Sequence, residues 1–225
     1  MSTDEEKRLA AEAATEMVAD GMTIGLGTGS TAAHAVRKLG ARVRGGLRIR
    51  AVPTSKATAE LARAEGIPLV DFAQVTALDL TLDGADEFDP ALNLIKGGGG
   101  ALFREKIVAA ASAELVVFAD SSKQVPVLGR FPLPVEVNPF GWQVAAKKLE
   151  ALGAPVTLRM AGDAPFQTDN GGYILDCAFG KIPDPRALHE AVRAIVGVTE
   201  CGLFVGLAKR VYLGRGTAVE RIGPA

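Results

Sequence analysis

The apolar positions along this chain change period several times, and each change marks an element. Leu9, Ala10, Ala13, Ala14, Met17 and Val18 recur at helical spacing, and Thr3 followed by Glu6 reads as a capping box that opens the helix. Met22, Ile24 and Leu26 then alternate as a short strand. The turn "GLGTGS" leads into "TAAHAVRKL", whose Ala32, Ala33, Val36 and Leu39 suit a helix stopped by Gly40. Leu47, Ile49 and Ala51 alternate again, "KATAELARAEG" is a helix ended by Gly66, and "IPLVDF" and "LDLTLDGAD" read as further strands. Beyond the four glycines at positions 97–100, "ALFREKIVAAAS" is helical and "ELVVFAD" is an almost wholly apolar strand. Strands alternating with helices as far as residue 120 predict a parallel sheet with helices on both faces, a Rossmann-like α/β arrangement.

After that point the pattern differs. "FPLPVEV" is a strand interrupted by prolines, and Asn138 with Pro139 offers an N-cap and first helical position for "PFGWQVAAKKLEAL". "PVTLRM" and, after an Asn-Gly turn, "TDNGGYILDCAF" are strands; "DPRALHEAVRAIVG" is a helix and "CGLFVGLA" a last apolar strand. The order β-α-β-β-α-β is that of a small ferredoxin-like α+β domain. The expected division is therefore residues 1–130 with 206–225, and residues 131–205, with "VYLGRGTAVERI" returning to the first domain.

Composition narrows the function. With 25 Lys and Arg against 26 Asp and Glu, the net charge of −1 gives no global attraction to nucleic acid or anionic lipid. The N-terminus "MSTDEEKRLA" is charged rather than apolar, and no run reaches the ~18 apolar residues of a membrane span. Cys177 and Cys201 form no C-x-x-C pair, and with only two histidines a His/Cys zinc site is not expected. Two buried, inert thiols in a reducing cytoplasm fit this cysteine usage better than the alternative, a disulfide between them.

The candidate chemistry lies at the ends of the first strands. In "GLGTGSTA", Thr28, Gly29, Ser30 and Thr31 bring hydroxyls and free amides to a helix N-terminus, a ready anion site. The glycine spacing is not G-x-G-x-x-G and the P-loop lysine is missing, so a single phosphate fits better than a nucleotide; a turn that merely packs is the competing explanation. Asp83 and Asp86, with Gly84 and Ala85 between them, fall at the C-terminal edge of the sheet, where open α/β sheets bind ligands. Taken alone, an Asx turn explains them equally well. Lys96 introduces Gly97, Gly98 and Gly99, whose amides can surround an oxyanion, and ordering so many glycines is costly without a purpose. Glu105 follows in the first turns of the next helix, where a carboxylate tends to stay ionised and serve as a base. Its neighbours Arg104 and Lys106 make a solvated helix face the plain alternative. Lys123 lies just past another strand end, a position where a lysine is ordinarily solvated surface. Together these groups point to carboxylate and ammonium chemistry on a small phosphorylated substrate: proton abstraction beside a carbonyl with stabilisation of the enediolate.

"GLGTGSTA", "PTSKAT", "DGADEFD", "IKGGGGAL", "REKI", "ADSSKQV", "LGRFPLPVEV" and "TDNGGYILD", in that order and over nearly the whole chain, resemble ribose-5-phosphate isomerases of type A. The resemblance implies interconversion of ribose 5-phosphate and ribulose 5-phosphate in the non-oxidative pentose phosphate pathway, with no metal or organic cofactor, in a homodimer or homotetramer. It implies that Glu105 is the base moving a proton between C1 and C2, and that Asp83 and Asp86 hold sugar hydroxyls and assist ring opening. Lys96 and the amides of Gly97, Gly98 and Gly99 match the oxyanion-stabilising group, residues 28–31 the phosphate cradle, and Lys123 the lysine that closes the site. Lys7, on the first helix, is a further phosphate candidate, and the small domain is expected to serve subunit contact, with Trp142 and the Phe131 to Phe140 region either there or in its core. The alternatives are a non-catalytic sugar-phosphate sensor, expected to carry an added DNA-binding domain, and another sugar-phosphate enzyme of the same fold. An Asp/His/Glu relay of that last kind would need His34 or His189, and both read better as structural histidines.

Overall fold

A computed structural model describes residues 2–224. The elements run α1 (Thr3–Thr15), β1 (Thr23–Leu26), α2 (Ser30–Arg44), β2 (Arg50–Pro53), α3 (Lys56–Ala64) and β3 (Leu80–Gly84). Next come β4 (Glu87–Phe88), β5 (Leu94–Ile95), α4 (Leu102–Ala110), β6 (Leu115–Asp120) and a 3-10 turn at Ser121–Lys123. β7 (Leu133–Val137), α5 (Trp142–Ala151), β8 (Val156–Leu158), β9 (Met160–Ala161), β10 (Ala164–Pro165) and β11 (Tyr173–Cys177) follow. The chain ends through α6 (Pro185–Arg193), β12 (Val198–Cys201), β13 (Leu203–Phe204), β14 (Ala208–Arg215) and β15 (Ala218–Ile222).

Two compact units result. One comprises the chain up to Ala85, Arg104–Gln124 and the chain from Gly206; the other comprises Asp86–Phe103 and Val125–Val205. The second unit ends at Val205 and the first resumes at Gly206, while the expected limits at residues 1 and 225 lie outside the described residues. Residues 86–103 and 125–130, expected in the first unit, belong to the second. Pairing draws them there: β5 joins β13 and β4 in a three-stranded sheet. The buried Glu87 carboxylate also accepts the amides of Gly129 (2.8 Å) and Phe131 (2.7 Å).

The first unit is a six-stranded sheet in the order β15-β14-β6-β3-β1-β2, parallel throughout except for β15. β1 and β6 are buried at every position, as strands covered on both faces must be, which explains their unbroken apolar runs. Ala10, Ala14, Ile24, Leu26, Val36, Leu39, Leu82 and Phe118 share one core cluster, while Val52, Leu78 and Val108 form another. From β1 the chain passes through α2 to β2 on one side, and from β3 it reaches β6 on the other. The strand order thus reverses between β1 and β3, the place where doubly wound sheets open a crevice for ligands.

In the second unit β7-α5-β8-β11-α6-β12 folds into an antiparallel sheet of order β12-β7-β11-β8, the split βαβ arrangement. Leu133, Val135, Val137, Leu149, Leu175 and Val192 fill its core, against which Phe131 and Trp142 pack; Phe140 by contrast is 94% exposed.

Several local expectations are corrected. α1 is capped by Ser2, whose hydroxyl accepts the Glu5 amide, and Glu6 turns away from the helix end to bond elsewhere. "IPLVDF" contributes only a single bridge, Ala51 to Leu69. Pro68 brings no donor to it, and the Asp71 carboxylate accepts the Ala73 amide and turns the chain away. Asn138 does not cap α5; its side chain accepts the Phe140 amide, and α5 starts after Gly141 at φ +73°. The expected single strand "CGLFVGLA" is instead divided between the end of β12 and β13, which lie in different sheets. β12 pairs with β7, then the chain changes sheets at Gly202, whose Cα lies so close to the Lys96 carbonyl that a Cβ would stand 2.2 Å from it. The β9–β10 hairpin had no counterpart in the sequence pattern.

Candidate active site

In the first unit the turn after β1 meets the end of β3. Asp83 is 1% exposed, and its Oδ1 accepts the amides of Thr28 (3.2 Å) and Gly84 (2.8 Å), joining the two strand ends at the reversal point. Gly27 makes this approach possible, because a Cβ there would stand 2.0 Å from Asp83 Oδ1. Gly29, at φ +109°, lets the chain enter α2 without a side-chain cap, and no acid occupies the first turn. The opening amides of α2, with Ser30 exposed and Thr31 half-buried, thus keep the character of an anion site.

The Thr28 hydroxyl faces inward. It lies 2.7 Å from Thr54 Oγ1, 2.9 Å from Ser55 Oγ and 3.1 Å from Thr58 Oγ1, a network closed by the Thr58 hydroxyl donating to the Gly27 carbonyl. Thr28 is therefore a brace for the turn, and amides rather than this hydroxyl are left to meet an anion. "PTSKAT" carried these bracing residues in the sequence, but without the fold nothing tied 54–58 to 28.

Lys7 and Lys123 are half-buried, and neither makes an ion pair among the described residues. The 3-10 turn holding Lys123 is pinned by Glu6: one carboxylate oxygen accepts the Ser121 amide (3.0 Å) and hydroxyl (2.7 Å), the other the Gly216 amide (2.8 Å). These donors, Gly216 first, hold the Glu6 carboxyl down at about 2. Asp4, one turn before Lys7, lies 3.5 Å from His34 of α2, so Lys7 sits on the stretch of α1 tied to α2 and to the 3-10 turn. Asp120 was not singled out in the sequence. It is buried at the end of β6, its Oδ1 accepts the Ser122 amide and hydroxyl, and its buried Oδ2 has no hydrogen-bond partner among the described residues. Glu105, in the first turn of α4, is 5% exposed, whereas Arg104 and Lys106 beside it are half-buried; the triplet is not a uniform solvated face.

In the second unit Lys96 is 3% exposed with its ammonium 5.5 Å from the centre of the Phe204 ring. Its own amide donates to the Gly202 carbonyl. Asp86 Oδ2 accepts the Gly98 amide at 2.7 Å, so of the three glycine amides named above this one is engaged by a carboxylate. A side chain at Gly98 would collide with that carboxylate, since a Cβ would lie 2.6 Å from Asp86 Oδ1. The loop is further held by Arg159, unremarked in the sequence, which donates to the carbonyls of Gly97 (2.9 Å) and Gly98 (3.0 Å). Asp176 in turn grips Arg159 through two hydrogen bonds of 2.9 and 2.5 Å. The "DGADEFD" acids thus divide by role. Glu87 ties down the 129–131 segment and Asp89 caps Asn93, leaving Asp83 and Asp86 as the two beside glycine-rich backbone.

Comparison with known proteins gives concordant results. The family model for ribose 5-phosphate isomerase A (phosphoriboisomerase A) matches residues 50–218. The chain is 54% identical over 215 residues to ribose-5-phosphate isomerase A of Sphingopyxis alaskensis, covering 96% of this chain and 94% of that protein. It is 50% identical to the Bacillus mycoides protein of the same name, with 95% and 97% covered. Among solved structures, a D-ribose-5-phosphate isomerase in complex with phospho-erythronic acid superposes with TM-score 0.97 at 39% identity, covering all of both chains. The Methanocaldococcus jannaschii ribose 5-phosphate isomerase A gives TM-score 0.94 at 40% identity, covering 99% of this chain and all of that one.

Proposed function

The chain belongs to the ribose 5-phosphate isomerase A family, and from that premise we propose how its residues interconvert ribose 5-phosphate and ribulose 5-phosphate. The observation that carries the reading is Glu105, a carboxylate 5% exposed in the first turn of a helix. Glu105 removes the C2 proton of the open-chain aldose, giving an enediolate, and returns a proton to C1; the C2 hydroxyl becomes the ketone as the C1 oxygen gains a proton. Lys96 and the amides of Gly97 and Gly99 stabilise the developing oxyanion. Asp83 and Asp86 hold sugar hydroxyls and assist ring opening, beside the backbone of Gly84 and Ala85. The Gly98 amide, held by Asp86, orients that carboxylate.

The phosphate is received by the amides of Gly29, Ser30 and Thr31 with Lys7 and Lys123, both half-buried and neither in an ion pair among the described residues. Thr28 supports that cradle from behind. The second unit serves subunit contact in a homodimer or homotetramer; the exposed Phe140, Val144 and Val196 supply apolar area for it. A monomer in sedimentation would remove that assignment. Two buried thiols not joined in a disulfide support a reducing, cytoplasmic setting. No helix among the described residues is long and apolar enough to cross a membrane.

The test is Glu105→Gln with ribose 5-phosphate in D₂O, followed by NMR. Wild type forms ribulose 5-phosphate with deuterium entering beside the carbonyl. The variant should bind substrate with similar affinity and turn over some 10²–10⁴-fold more slowly. Turnover near wild type in the variant would sink the assignment, and wild-type binding without exchange would favour a sensor.

A further inference from the structure

We propose that the second unit carries a transition-metal site formed by His189, Glu200 and Cys201, suited to a borderline-soft divalent cation such as Zn²⁺. His189 lies on α6 and the other two at the end of β12, and one ligand atom from each lies within 4.8 Å of the others. His189 Nδ1 and Cys201 Sγ are 3.2 Å apart. Zinc bonds of about 2.3 Å to sulfur and 2.0–2.1 Å to nitrogen, at a tetrahedral angle, place such atoms roughly 3.5 Å apart. The pair has to open by only a few tenths of an ångström to admit the ion.

Consecutive strand residues ordinarily point to opposite faces, so Glu200 and Cys201 would not converge on a regular β12. They come together because the Glu200 side chain folds back along the chain, its Oε1 accepting the Cys201 amide, just after the register against β7 slips between Val198 and Glu200. The Glu200 carboxylate is oriented by the Cys201 amide (2.9 Å to Oε1) and by Arg193, whose Nη1 lies 3.3 Å from Oε2 and also donates to the Thr199 carbonyl. Outer contacts of this kind fix carboxylate ligands around metals. A thiol–imidazole hydrogen bond would account for the short contact alone, but not for a carboxylate oxygen within 4.8 Å of both ligand atoms. Cys201 is fully buried and His189 half-exposed, so the imidazole edge is the way in. Binding replaces the thiol proton by the metal and releases it to solvent. The histidine and the cysteine are twelve positions apart, a spacing unlike the short-range pairs of zinc motifs, which is why no motif marked the site.

Cobalt(II) added to the chelator-treated full chain tests this. One equivalent should produce the near-ultraviolet thiolate-to-cobalt band and the visible bands of a tetrahedral site, both discharged by Zn²⁺. Cys201→Ser should abolish the near-ultraviolet band. His189→Gln and Arg193→Gln should weaken cobalt binding, the latter about tenfold as an outer-contact change. Zn²⁺ should raise the melting temperature of wild type and leave that of Cys201→Ser unmoved. No thiolate band at stoichiometric cobalt overturns the proposal, as does a band that survives Cys201→Ser. Should that variant fail to fold, unchanged cobalt affinity in His189→Gln overturns it equally. Isomerase turnover is a separate readout, since none of these residues acts on the sugar.

Discussion

The two glycine-rich loops of this chain, 25–29 and 97–100, share a composition and differ in what stands behind them. The first is braced by neutral hydroxyls, Thr54, Ser55 and Thr58 against Thr28, with Asp83 receiving its amide. The second is braced by charge: Asp86 on the Gly98 amide, and Arg159, itself gripped by Asp176, on the Gly97 and Gly98 carbonyls. Neutral hydrogen bonds contribute about 0.5–1.5 kcal/mol each, and charge-assisted ones roughly twice that with sharper orientation. A loop that cradles a phosphate meets the same charge in ground state and transition state, so firm support suffices. A loop facing an oxyanion must hold its dipoles against a charge that exists only in the transition state, where misalignment costs rate. On this reading, damage to the first loop raises KM and damage to the second lowers kcat.

The largest effect is expected at Lys96. Lys96→Ala should lower kcat about 10²–10³-fold with KM nearly unchanged, since the oxyanion loses its cation. A rise in KM with kcat preserved would place Lys96 on the phosphate and erase the distinction between the loops.

Arg159 and Thr28 form the matched pair. Arg159→Ala frees the carbonyls of Gly97 and Gly98 and should cost about tenfold in kcat, the scale on which small misplacements tell. Arg159→Lys should recover only part of it, because an ammonium lacks the planar fork that grips Asp176 and reaches both carbonyls. Thr28→Val, which breaks a neutral brace, should instead raise KM several-fold and leave kcat in place. Steady-state kinetics on the three variants decide it, and a kcat loss confined to Thr28→Val would reverse the assignment.

How much of this was legible in the sequence depended on whether the signal was local. Period and turn chemistry located the parallel sheet, the βαββαβ unit and the return of 211–222 to the first sheet, because each rests on contiguous patterns. Asp83, Asp86, Lys96 and Glu105 stood out for the same reason, as charges beside glycines. What escaped was non-local. Arg159 acts on residues 97 and 98 from 62 and 61 positions away, and Glu6 acts on Ser121 and Gly216 across 115 and 210. The capping box misled for a related reason: Thr3 and Glu6 have the right spacing, but a folded partner with three donors outcompetes one helix amide. "IPLVDF" failed as a strand because composition registers β-propensity and not the edge position at which Pro68 and Asp71 end the pairing.

Glu6 gives the smallest expected effect and the one with a pH signature. Three donors hold its carboxyl at about 2, well below the ordinary 4.5. A depressed folded-state pKa means stabilisation that is complete above 4.5 and drains away as pH falls toward 2. Glu6→Gln leaves one carbonyl for the donors of Ser121 and Gly216 and turns an N–H group toward the rest. Denaturant unfolding at neutral pH should show a loss of about 1–2 kcal/mol, reduced by solvent screening from the roughly 1.5–3 kcal/mol of hydrogen bonds to a charged group. The gap between variant and wild type should narrow steadily once pH drops below 4.5, because the protonated wild-type carboxyl comes to resemble the amide. KM should rise modestly at neutral pH, since the same carboxylate anchors the turn that carries Lys123. A gap that stays constant into acid would mean that Glu6 stabilises by packing, and the turn that carries Lys123 would then owe nothing to the Glu6 charge.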